Sequence, residues 1–101
     1  ALGITIDYDC YWSGAALAAA DLLVTDDIGQ VEHIRADGYF ADCPTPHTEI
    51  GTVAIGGHPG RTGDAQRIVC LNMGVSVEDV ATARAIYERA VELGAGQLLP
   101  L

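Results

Sequence analysis

Leu22-Leu23-Val24-Thr25-Asp26-Asp27 places four apolar or β-branched residues ahead of two acids. The run is too short and too apolar for a half-exposed element, which predicts a strand buried on both faces of a parallel sheet. Ahead of it, Ser13-Gly14 opens an alanine-rich segment, residues 15–20, with Ser13 as candidate N-cap of a helix. Behind it, Asp26-Asp27 can cap a second helix through Val31, Ile34 and Arg35 that Asp37-Gly38 stops. Residues 2–7 alternate β-branched with other side chains and end in carboxylates, predicting a first strand with Asp7 and Asp9 at its C-terminal end. Strand, helix, strand, helix is the repeat of an α/β fold, a parallel sheet flanked by helices. Two such units make about half of a doubly wound, Rossmann-like sheet.

Further along, residues 41–48 carry two prolines and no periodicity, which predicts a loop, and residues 49–55 fit a short helix broken by Gly56-Gly57. Residues 67–72 form a third apolar run, again of buried-strand length. Ser76-Val77-Glu78-Asp79 resembles a capping box with Asp79 in the usual glutamate place. Val80, Ala83, Tyr87 and Ala90 then recur at helical spacing, predicting one apolar stripe laid against the sheet, with Thr82, Glu88, Arg89 and Glu92 facing away.

At 101 residues the chain is one domain at most. Its 50% hydrophobic content exceeds what so small a domain easily hides, so part of that surface is expected to face further polypeptide or a partner subunit. Five basic residues against fourteen acidic ones give a net charge of -9, which repels nucleic acid and anionic membrane surfaces alike. The sequence lacks an apolar run of about eighteen residues and the basic-then-apolar order of a secretion signal, which gives a cytoplasmic expectation. Cys10, Cys43 and Cys70 show neither a C-x-x-C pair nor a histidine at metal-ligand spacing, so buried, reduced thiols are expected and no metal site.

Asp7 and Asp9 would stand at the sheet edge where open α/β folds bind ligands. A carboxylate there can exchange a proton with a substrate amine or stabilise an iminium cation; a solvated pair of turn aspartates is the plain alternative. Asn72 offers a hydrogen-bonding side chain after the third apolar run and Met73 an adaptable apolar wall, unless Asn72 only ends a strand and Met73 only fills core. Arg61 suits a phosphate or carboxylate, but acids close in sequence favour a loop clamp through groups such as Asp64. His33, His47 and His58 do not cluster, and each reads as a surface or packed residue. No G-x-G-x-x-G follows a strand, so the chain has no pyrophosphate cradle of that kind.

His58-Pro59-Gly60-Arg61-Thr62-Gly63-Asp64, then Asn72-Met73-Gly74, then a long helix stopping at Gly94-Ala95-Gly96 resemble in their order the C-terminal end of the ornithine cyclodeaminase/mu-crystallin family. That family also holds alanine dehydrogenases and ketimine reductases. The likeness is firm over residues 45–101 and looser over 1–39. It implies that residues 1–101 are the C-terminal part of an NAD(P)-binding Rossmann-like domain, with residues 95–101 returning toward a substrate and dimerisation domain. It further implies NAD or NADP as cofactor, a small amino acid or imine as substrate, and a homodimer completed by an N-terminal half or a companion chain. In the cyclodeaminase scheme hydride leaves the α-carbon, the distal amine closes on the imine, ammonia departs and hydride returns. Carried onto this chain, the resemblance makes Asp7 the proton-handling carboxylate, with Asp9 as alternative. It sets the backbone of Ile4 and Thr5 along the nicotinamide, Asn72 on the cofactor and Met73 beside the substrate. Family members are several times longer and use an upstream lysine and arginines for the substrate carboxylate. This chain has no lysine, so alone it is expected to be inactive. A non-catalytic ligand-binding or oligomerisation module of mu-crystallin type is the rival reading.

Overall fold

The computed structural model describes residues 1–7 and 9–100. Its elements are β1 (Leu2–Thr5), α1 (Gly14–Ala18), β2 (Leu22–Thr25), α2 (Ile28–Ala36), β3 (Thr48–Glu49), α3 (Ile50–Ala54), β4 (Ile68–Leu71) and α4 (Ser76–Leu93). The strands form one sheet in the order β1-β4-β2-β3, every pair parallel. This is the expected α/β architecture, a partial Rossmann-like sheet with flanking helices.

Strand parity divides the side chains between two faces. On one face Leu23, Val69 and Leu71 meet Leu17 of α1 and Ile34 of α2, with Phe40 and Cys43 closing the cluster. Leu23 and Val31 are fully buried, so the core of the molecule lies between the sheet and these two helices. On the other face Leu22, Val24, Ile68 and Cys70 make a thinner apolar layer, flanked by Ile50 and Val53 of α3. Leu2 and Ile4 of the edge strand β1 extend that layer but stay 59% and 56% exposed.

The starts of α1 and α2 follow the sequence closely. Ser13 caps α1, its hydroxyl accepting from the Ala16 N–H. Asp27 caps α2 through the Gln30 N–H at 2.7 Å, and Glu49 reaches across from β3 to accept the Ile28 N–H at 3.1 Å. The two-residue strand β3 is an addition to the expected loop and helix. Val24 pairs with Thr48 and Thr25 with Glu49, and just upstream His47 exchanges two bonds with the Leu23 backbone, one through its ring Nδ1.

Three expectations are corrected. The stripe of α4 does not lie on the sheet: the helix forms over 18 residues but stands clear of the body, and Ala90 alone is even half-buried. The radius of gyration is accordingly 17.3 Å, with extents of 52 × 34 × 21 Å. A compact chain of this length would give roughly 13 Å. Residue periodicity specifies which side of a helix is apolar, not what lies across from it. The capping box also fails, because Val75 is the N-cap and no side chain closes that end. Finally, Cys43 and Cys70 are buried but Cys10 is exposed.

The far end of α4 behaves as read. Gly94 terminates it in the left-handed region at φ 62°, a conformation that costs glycine little, and the Ala95 N–H closes on the Ala90 carbonyl. Among the described residues no helix is long and apolar enough to cross a membrane.

Candidate functional site

The C-terminal edge of the sheet gathers the side chains with chemical reach. Strands β1 and β4 are neighbours in register, Thr5 opposite Leu71, so the chain beyond each leaves at the same edge. Asn72 follows β4 directly and its N–H donates to the Thr5 carbonyl at 3.3 Å. Asp7 lies two residues beyond β1, exposed, and its carboxylate accepts the Cys10 thiol at 3.5 Å. The structure therefore brings Asp7 and Asn72 to one edge, each just beyond one of two adjacent strands.

The other candidates fall around this pair. Ala1 and Thr5 both use their carbonyls toward β4, so by the alternation of a parallel ladder the N–H and carbonyl of Ile4 point to the open outer edge. The Ile4 side chain borders the apolar groove of the α3 face, about 360 Å³, at whose end Asn72 stands. Thr5 points the opposite way, is buried, and sets its hydroxyl 3.5 Å from the Cys70 carbonyl. Met73 is half-buried and packs against the α1/α2 core cluster. Asp9 is engaged structurally, accepting the Phe40 N–H at 2.7 Å and so fixing a residue whose φ of 51° lies in the left-handed region.

Arg61 sits at the opposite, N-terminal edge. It donates to the carbonyls of Ala1, Gly63 and Gln66 and so clamps its own loop onto the start of β1. The clamp is the structural role expected, but its partners are carbonyl groups rather than Asp64. His58 caps the same loop, accepting the Gly60 N–H on Nδ1. His33 lies exposed on α2. Among the described residues no group of three His, Cys, Asp or Glu is arranged to hold a metal ion.

Asp26 carries a role that the sequence did not disclose. One of its oxygens accepts the Met73 and Gly74 N–H groups at 2.7 and 2.6 Å, and the other accepts the Asp27 N–H and the Thr25 hydroxyl. The paired acids after β2 read as helix caps, and Asp27 alone does that work. That left Asp26 over as the only local signal.

Electrostatically the edge is acidic, with Asp7, Asp9, Asp26, Asp27 and Glu49 all at or beyond strand ends. The Cys10 thiol is pushed up by partial desolvation and then by the bond to Asp7 and the charges of Asp7 and Asp9. Burial, with Asp26 and Glu78 adding, raises Cys70. Both stay protonated near neutrality and are poor nucleophiles. Proton transfer by a carboxylate and hydrogen bonding by an amide are what this edge can supply. At the start of α2 the Ile28 and Gln30 N–H groups are already taken by Glu49 and Asp27.

Comparison with known proteins gives the family. The sequence profile of the Ornithine cyclodeaminase/mu-crystallin family matches residues 11–94. The nodulation efficiency protein NfeD of Rhizobium meliloti is 33% identical over 90 residues, 87% of this chain and 28% of the relative. An N-((2S)-2-amino-2-carboxyethyl)-L-glutamate dehydrogenase of Staphylococcus aureus is 32% identical over 89 residues, 81% of this chain and 26% of its own length. A Delta(1)-pyrroline-2-carboxylate reductase of Bacillus cereus (strain ATCC 10987 / NRS 248) is 39% identical over 72 residues, 71% of this chain and 22% of that protein. The chain thus spans about a quarter of the length of the curated relatives it matches. With most of its residues inside the profile, this chain belongs to the ornithine cyclodeaminase/mu-crystallin family.

Proposed function

We propose that residues 1–101 form the C-terminal part of the dinucleotide-binding domain of an NAD(P)-dependent oxidoreductase acting on a small amino or imino acid. The observation that carries this reading is that Asp7 and Asn72 follow adjacent parallel strands at the same, C-terminal edge of the sheet. Similarity to an amino-acid dehydrogenase and an imine-acid reductase supports the substrate class.

The residues present suit the nicotinamide end of such a cofactor and not its diphosphate. The outer edge of β1 is open at Ile4, and Asn72 offers an amide beside it. The acidic edge favours a cationic ring or an iminium group and disfavours phosphate, which upstream polypeptide must hold. When bound, the nicotinamide supplies hydride chemistry. Asp7 gives or takes the proton at the substrate nitrogen, Asn72 orients the ring, the Ile4 and Thr5 backbone lies alongside it, and Met73 borders the substrate. Upstream chain also covers the groove of the α3 face and the stripe of α4, with residues 95–101 returning toward the substrate and dimerisation domain.

Fluorescence titration tests this division of labour. The 101-residue chain alone is expected not to bind NADH or NADPH measurably, whereas the full-length protein that carries it binds one of them. Micromolar affinity in the isolated chain would defeat the half-site reading. In the full-length protein, Asn72→Ala is expected to weaken cofactor binding by about 1 kcal/mol, roughly fivefold, the worth of one neutral hydrogen bond. An unchanged dissociation constant returns Asn72 to a strand-ending role.

A further inference from the structure

The structure assigns Asp26 a positioning role: its carboxylate sets the turn after β4, and through it the place of Asn72 against the cofactor and the direction in which α4 leaves the body. This rests on the reading of Asn72 given above.

The turn Asn72-Met73-Gly74 is held from both neighbouring strands. Toward β1 a single bond joins the Asn72 N–H to the Thr5 carbonyl. Toward β2 the hold is stronger, because one oxygen of Asp26 receives two successive N–H groups at 2.7 and 2.6 Å. Bonds from N–H to a carboxylate are about twice as strong as neutral ones. The second oxygen is itself fixed by the Asp27 N–H at 3.0 Å and the Thr25 hydroxyl at 3.1 Å, so the carboxylate cannot swing away. Thr25 is fully buried, which anchors the assembly to the core. Gln30 adds a tether from α2, donating to the Gly74 carbonyl at 3.4 Å.

Gly74, at φ 86°, is the residue on which the chain turns out of the sheet toward α4. Asn72 has little other restraint: among the described residues its side chain accepts only the Cys70 thiol, at 3.2 Å. Its position is therefore a property of the backbone that Asp26 holds. Groups displaced by as little as 1 Å from a reacting partner lose rate steeply.

Asp26→Asn probes this without changing shape. Whichever way the amide turns, its NH2 group faces N–H or hydroxyl donors that the carboxylate oxygens now satisfy. In the full-length protein kcat/KM for the cofactor is expected to fall about tenfold, whereas in an Asn72→Ala background the same change costs about twofold or less, the signature of action through Asn72. Equal losses in both backgrounds, or wild-type kinetics in Asp26→Asn, overturn the inference while leaving the dinucleotide reading in place. A full-length wild-type protein that turns over with neither NADH nor NADPH removes both. If Asp26→Asn does not fold, amide spectra of the unaltered chain decide: strongly downfield, slowly exchanging Met73 and Gly74 N–H groups uphold the clamp, and random-coil values for the two overturn it.

Discussion

Asp7→Asn in the full-length protein is expected to lower kcat by at least about a hundredfold, while KM for the dinucleotide changes by no more than about twofold. General acid–base catalysis by one positioned side chain contributes roughly 10²–10⁴ in rate, and an amide cannot give up or take that proton. Asparagine keeps the size of the residue and can still accept the Cys10 thiol, so the local fold is preserved. Steady-state rates at saturating cofactor read the effect directly. Near-normal turnover would strip Asp7 of its role. Asp9→Asn is the natural contrast: the amide oxygen can still accept the Phe40 N–H but without the charge, so the loss is expected in stability, about 1 kcal/mol by denaturant titration, with kcat close to wild type. A hundredfold rate loss in Asp9→Asn with Asp7→Asn active would exchange the two residues.

Hydrogen exchange in the isolated chain is expected to divide the molecule in two. Amides of β2 and β4 open only with the whole fold, which for a marginally stable domain means protection of about 10³ or more. Amides along α4 are expected to exchange within about tenfold of free peptide, because a helix in a protein draws most of its stability from packing one face and this one packs almost nothing. Glu78 and Asp79 favour its positive end, but no side chain caps that end and no basic residue sits in the last turn. The pairs Arg84–Glu88 and Arg89–Glu92 are exposed and add little. In the full-length protein the same amides should gain protection by about two orders of magnitude or more as Val80, Ile86, Tyr87 and Val91 are covered. Protection of α4 in the isolated chain equal to that of β4 would contradict this, and its dependence on protein concentration would trace it to self-association.

Much of the framework was legible because it depends on neighbours in sequence. Leu22–Thr25 and Ile68–Leu71 are apolar runs of strand length, and a strand buried on both faces needs nothing more to be recognised. Ser13, Asp27 and Gly94 set helix ends through bonds spanning only a few residues, so local chemistry suffices. The strand β3 is not legible in the sequence because two residues carry no period; Thr48 and Glu49 are strand only because Val24 and Thr25 lie beside them. The Ser76 cap failed for the converse reason, since the turn at Gly74 delivers the chain one residue earlier, at Val75.

The site divides along the same line. Sequence alone determined that the chain is α/β, acidic and apolar beyond its own needs, with Asp7 after one strand and Asn72 after another. Only the tertiary structure decided that these two strands are neighbours, that Asp9 and Arg61 are occupied with backbone, that Asp26 spans 47 positions to hold Met73, and that α4 stands alone. The physical reason is one of range. Propensity and capping act within a helical turn, while strand order, a carboxylate's distant partners and the cover of an apolar stripe are set by chain packing, which no local pattern encodes.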